Sequence, residues 1–110
     1  MAYDRDMEKQ IDSICAQQKD LQSRSMFGGV CYLVQGNMAF GIYKDNLIVR
    51  LGSDGDALKA IEAGKASPFD ITGRRMKGWV MVPKRKLKSR GHYKRWADKG
   101  LAFARSLAPK

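Results

Sequence analysis

The sequence is short of most of what enzymes and membrane proteins use. It has two cysteines, Cys15 and Cys31, too few for a disulfide scaffold or a four-cysteine zinc site. It has one histidine, His92, with no second histidine, no nearby cysteine and only Asp98 as a local acid. A metal centre needs three or four ligands, and a nucleophile needs a positioned base. No apolar run approaches the ~18 residues of a membrane span. The start, Met1-Ala2-Tyr3-Asp4-Arg5-Asp6, has no apolar stretch behind it and is not expected to be a signal peptide. No P-loop or dinucleotide glycine pattern occurs. No cofactor, no catalytic activity and no membrane partner are expected, and the two thiols suit a reducing cytoplasm.

Acid is also scarce where it would matter most. Residues 1–70 carry 8 basic and 10 acidic groups, whereas residues 71–110 carry 13 basic groups and a single acid, Asp98. The chain as a whole stands at +10. A field this one-sided attracts polyanions, nucleic acid first, with an acidic protein or an anionic membrane surface behind it.

The 110 residues are a single-domain length, and 44% hydrophobic with 29% charged residues reads as globular. Tyr3, Met7, Ile11, Ile14, Cys15 and Gln18 recur at helical spacing, which predicts an amphipathic helix over 3–18 with a polar exit from Gln17 to Ser25. From Met26 the period changes. Met26–Val34, Met38–Tyr43 and Leu47–Leu51 read as three strands, turned at Gly36-Asn37 and at Lys44-Asp45-Asn46. Connections that short imply an antiparallel meander. Ser53 and Asp56 have the spacing of a helix start, and Gly64 is a natural stop. Pro68–Ile71 reads as a short extended piece, Thr72–Arg75 as a turn, and Gly78–Val82 as a strand ended by Pro83. Residues 92–107 divide into an apolar face with Tyr93, Trp96, Ala97, Leu101 and Ala104 and a charged face with Lys94, Arg95, Asp98, Lys99 and Arg105. A block of strands between helices predicts an α+β fold in two layers with a mainly antiparallel sheet.

Most chemistry-bearing types read as structural. Cys15 and Cys31 fall on apolar faces, Asp54 and Asp56 suit a helix cap, and Trp79 and Trp96 sit among core positions. Gly28-Gly29 reads as a bulge or bend within a strand, and Gly73 and Gly78 flank a turn through Arg74-Arg75-Met76-Lys77. The basic run is what remains. Lys84, Arg85, Lys86, Lys88 and Arg90 lie in or beside a connection, and Lys94 and Arg95 continue onto the last helix with Lys99 beyond them. Spaced cations of this kind read a phosphate backbone. No helix-turn-helix pattern accompanies them, so the expected contact with DNA is sequence-nonspecific.

Several segments share the order and composition of one family: Met26-Phe27-Gly28-Gly29, Gly36-Asn37-Met38-Ala39, Leu47-Ile48-Val49-Arg50, Phe69-Asp70-Ile71-Thr72-Gly73-Arg74, Met76-Lys77-Gly78-Trp79-Val80, and Trp96 with Leu101-Ala102-Phe103-Ala104-Arg105-Ser106-Leu107. The chain resembles the amino-terminal domain of the TfoX (Sxy) regulators of natural competence over nearly its whole length, residues 1–110, without the helical carboxy-terminal domain of full-length members. The resemblance implies an α-β(3)-α-β(2)-α order like the secretion-chaperone fold, a role in transcription regulation of DNA-uptake genes, and the cyclic-AMP receptor protein as a partner. It also makes a homodimer an expectation. Arg75 stands where the family often has proline, and the density of basic residues from Lys84 to Arg95 is this chain's own. The rival expectation is a protein-interaction module, or a homodimer, whose basic face meets an acidic protein.

Overall fold

In a computed structural model, the protein is described at residues 3–16, 18–26, 28–70 and 76–109. The element order is helix α1 (Arg5–Cys15), strands β1 (Leu21–Met26), β2 (Gly29–Val34), β3 (Asn37–Tyr43) and β4 (Asn46–Arg50), helix α2 (Asp54–Glu62), strands β5 (Ser67–Pro68) and β6 (Trp79–Pro83), a 3-10 turn at Lys84–Lys86, and helix α3 (Arg90–Arg105). The six strands form one sheet in the order β1-β2-β3-β4-β6-β5, each neighbour antiparallel to the next. This is the expected α+β architecture with one strand more. Leu21–Met26, expected as a polar exit, is an edge strand paired with the whole of β2. An edge strand has one partner and an open side, so β1 needs little apolar character, and residues 22–25 are exposed.

The apolar stretch expected as one strand from Met26 is divided by a hairpin. Met26 pairs with Gly29, and Gly28 takes a positive φ of 76° between them. The next hairpin is one residue earlier than expected. Gln35 and Gly36, with φ of 51° and 87°, form the turn, and Asn37 opens β3. Type I′ geometry needs positive φ at both central residues, and it matches the strand twist. Asn37 is thereby released for another task. It is buried, and its Nδ2 donates to the Ala108 carbonyl at 2.9 Å, tying the end of the chain to the sheet.

One face of the sheet carries the core. Val30, Tyr32 and Val34 alternate with their neighbours along β2, and Phe40, Ile42, Leu47, Val49, Val80 and Val82 continue the layer across β3, β4 and β6. Met7 and Ile11 of α1 close it, with Ala57 of α2 and Tyr93, Trp96, Ala97, Leu101 and Ala104 of α3. Tyr32 and Phe40 stack with ring centroids 5.0 Å apart, and the Tyr32 hydroxyl donates to Asp12 of α1 at 2.9 Å. Both terminal helices therefore pack on one sheet, as expected.

α3 lies closest to the sheet at Gly100. A Cβ there would collide with the Ala39 carbonyl oxygen. Ala39 is the bulged residue of β3, because Tyr32 faces Phe40 while Leu33 faces Met38. The bulge and the glycine thus meet. The turn expected at Thr72–Arg75 lies outside the described residues, as do Phe27 and Ile71. Among the described residues no helix is long and apolar enough to cross a membrane.

Candidate functional site

The seven basic residues picked out in the sequence separate into two groups. Three face α1 or their own helix and have their donors engaged. Lys84 Nζ lies 2.9 Å from Asp4 Oδ2 and 3.5 Å from Asp6 Oδ2. Arg90 donates to the Ser13 hydroxyl at 2.7 Å and to the Ser13 carbonyl at 3.4 Å. Lys94 Nζ pairs with Asp98 Oδ2 at 2.8 Å, one helical turn on. With Arg105, which holds Asp20 at 2.8 Å, Lys84 and Arg90 fasten α1 and its exit to the second half of the chain.

The Lys84 pair has a consequence for acid stability. The Asp4 carboxyl is held below its ordinary 3.8, first by the hydrogen bond from Lys84 and then by the Met7 backbone N–H that it caps. Lys84 is raised in turn, first by its hydrogen bond to Asp4. The unfolded chain therefore binds a proton at Asp4 more readily than the folded one. The stability this carboxylate adds is complete above about pH 5 and is lost as the pH falls through its folded value. Asp4→Asn keeps a good N-cap and removes the charge. We expect the variant to melt below wild type at pH 7 and the two to converge towards about pH 2 in urea melts followed across that range. Parallel pH curves would show that the pair adds nothing.

The other four residues meet at a groove. Arg85, Lys86, Lys88 and Arg95 line it together with Lys65 and Lys99, and Gly64, His92 and Trp96 complete the wall. It is open to solvent, with a volume of about 760 Å³, and no carboxylate is among the described residues that line it. The local fold explains the arrangement. Leu87 is buried in the core between Lys86 and Lys88, pinning the connection so that the flanking cations stay outside. Ser89 caps α3 by accepting from the His92 backbone N–H. Lys88 lies just before this cap, and His92, Arg95 and Lys99 follow on α3 at spacings of three and four residues, which aligns those three on one helix face. His92 Nδ1 accepts from the Lys88 backbone N–H at 3.1 Å. His92 is half-buried in this wall. Lys86 Nζ reaches the Gly64 carbonyl at 2.6 Å and joins the connection to the end of α2.

Lys65 was not legible as a member. It arrives from a loop twenty residues upstream, brought near by the β5–β6 pairing and the Lys86–Gly64 bond. Lys99 carries a local signal, the i, i+4 step from Arg95. Its ammonium lies 5.0 Å from the Trp96 ring centroid, which holds it over the groove floor.

The remaining candidates resolve as structural. Tyr93 and Trp96 are core residues. Trp79 is half-buried, 5.9 Å from the Phe69 ring, with the Arg50 guanidinium 5.6 Å from its centroid. Gly29 is pressed against the Ile42 carbonyl, a close backbone approach inside the sheet. Burial first, with Asp12 and Asp98 adding, pushes the Cys15 thiol up to about 11, and burial raises Cys31 as well. Thiols shifted in that direction are poor nucleophiles near neutral pH. Among the described residues no three His, Cys, Asp or Glu side chains are grouped to hold a metal ion. What the site offers is a concave wall of positive charge with no carboxylate among its described lining residues.

A family model described as the TfoX N-terminal domain matches residues 13–104. No curated protein and no solved structure matches the chain.

Proposed function

We propose, from the premise that this chain belongs to the TfoX N-terminal domain family, that it is a non-enzymatic regulatory module that contacts DNA through the basic groove at the start of α3. The observation that carries this reading is the groove itself: six cations from three separate parts of the chain, with no carboxylate among the described lining residues. Mutual repulsion makes such a cluster costly unless an anion occupies it. Phosphates along a nucleic-acid backbone supply regularly spaced negative charge that spaced Lys and Arg can match. The expected action is cytoplasmic, on transcription of DNA-uptake genes and beside the cyclic-AMP receptor protein; both follow from the family's regulators.

Binding is expected to come mostly from counterion release. If about four to six phosphates are neutralised, log affinity should fall with log salt at a slope of about −4 to −5. Fluorescence anisotropy on a random-sequence DNA duplex, titrated from ~50 mM salt upward, measures it directly. No binding at the lowest salt would overturn the reading, and a protein-interaction module meeting an acidic partner would take its place.

A further inference from the structure

The basic groove does not end at Trp96. A second groove of about 730 Å³ runs on between α2 and α3 and shares Lys65, Trp96 and Lys99 with the first. Its own wall is mainly apolar, with Leu51, Ala60, Ala63, Ala102 and Phe103, and carries Asp56 and Lys59 on the α2 side. A cationic trough thus opens into an apolar one, with the Lys99–Trp96 pair at the divide.

Duplex DNA makes poor use of this shape. It is stiff, and its bases are stacked inside, so it can lay phosphates only along the rim of a concave trough. It has nothing apolar to place between α2 and α3. A single strand can follow the trough with its phosphates on the cations and turn a base out into the apolar part. Charged grooves combined with aromatic and apolar surface are how single strands are held without sequence preference. We infer that the ligand of this site is single-stranded nucleic acid, with phosphates against Arg85, Lys88, Arg95 and Lys99 and at least one base seated beside Phe103. This rests on the nucleic-acid reading above and narrows it to one strand form.

The test compares labelled oligo-dT, oligo-rU, a DNA duplex of the same strand length and an oligo-glutamate peptide, all at ~100 mM salt. The expected result is that a single strand binds about tenfold more tightly than the duplex or the peptide. The tighter of the two single strands names the sugar the groove accepts. Phe103→Leu should weaken single-strand binding about fivefold to tenfold, with the salt slope and the duplex affinity unchanged, because it removes a ring and no charge. Phe103 also packs against Gly52, so Ala102→Gln, at an exposed groove position, is the second variant, with the same expected pattern and an unperturbed melt. A duplex or peptide that binds as tightly as the single strands would overturn the inference. So would variants that leave single-strand affinity untouched. Duplex preference overturns this inference alone, whereas failure of every nucleic acid to bind overturns the reading it rests on as well.

Discussion

Replacing Arg85, Lys88 and Arg95 together with alanine is expected to weaken nucleic-acid binding on the order of 10²-fold at ~0.1 M salt. Three lost phosphate contacts should take about 2.7 off the magnitude of the duplex salt slope, and that factor accumulates between 1 M and 0.1 M salt. The companion variant replaces Lys84, Arg90 and Lys94. It changes the net charge by the same amount, but these side chains are held by Asp4 and Asp6, by Ser13 and by Asp98. It should lose less than about fivefold in affinity. It should lose more stability than the first triple, because two of its members fasten α1. The first triple removes exposed, mutually repelling charges, and changes at such positions usually stay within about ±0.5 kcal/mol each. Anisotropy across a salt series, with thermal melts of both proteins, separates the two. Equal losses from both triples would mean that net charge alone attracts the ligand, and the groove would lose its assignment.

The division between those two triples was beyond the sequence for a geometric reason. Lys84, Arg85 and Lys86 are consecutive and read as one patch. In a 3-10 turn successive residues step by about a third of a revolution, so three adjacent cations leave in different directions. Lys84 goes to α1, and Arg85 and Lys86 go to the groove. Lys94 and Arg95 part in the same way on α3. Each takes its partner one turn on, Asp98 for Lys94 and Lys99 for Arg95, and that step does stand in the sequence.

The fold was legible wherever periodicity or a cap was strong. The apolar face of α3, the Ser53 cap and the strand before Pro83 all stand where the sequence places them. β1 escaped because Leu21-Gln22-Ser23-Arg24-Ser25 lacks the apolar alternation of a half-buried strand, and an edge position does not demand it. The Gln35-Gly36 turn escaped because Asn37, a good turn residue by itself, serves a carbonyl at Ala108. Lys65 escaped for the same kind of reason. For Asn37 and Lys65 the deciding partner lies far away in the chain, where no local pattern registers it.

Gly100 makes the strongest stability prediction, because two general tendencies oppose each other there. In an exposed helix interior, glycine to alanine gains up to ~1 kcal/mol from backbone entropy. Gly91 is exposed in the first turn of α3, short of the interior, and a new Cβ there would meet only the Ser89 hydroxyl at 3.7 Å. Gly91→Ala should leave stability unchanged or raise it by up to ~1 kcal/mol. At Gly100 the same methyl would strike the carbonyl of the bulged residue Ala39, with its carbonyl carbon 3.0 Å away. Backbone held in a sheet cannot yield as a flexible side chain can, so α3 must lift from β3. Overpacking of this kind costs about 1–3 kcal/mol and occasionally more. That outweighs the propensity gain, and Gly100→Ala should melt roughly 5–15 °C below wild type. The site should respond too. Arg95 and Lys99 ride on α3 immediately before Gly100, while Lys65 and Lys86 are fixed to the end of α2 and the connection. Lifting α3 widens the groove between them, so affinity should fall at temperatures where the variant is still folded. Paired melts and binding curves for the two alanine variants check both halves. A Gly100→Ala protein as stable as Gly91→Ala would show that α3 does not rest on the bulge, and the groove width that depends on that contact would have to be set elsewhere.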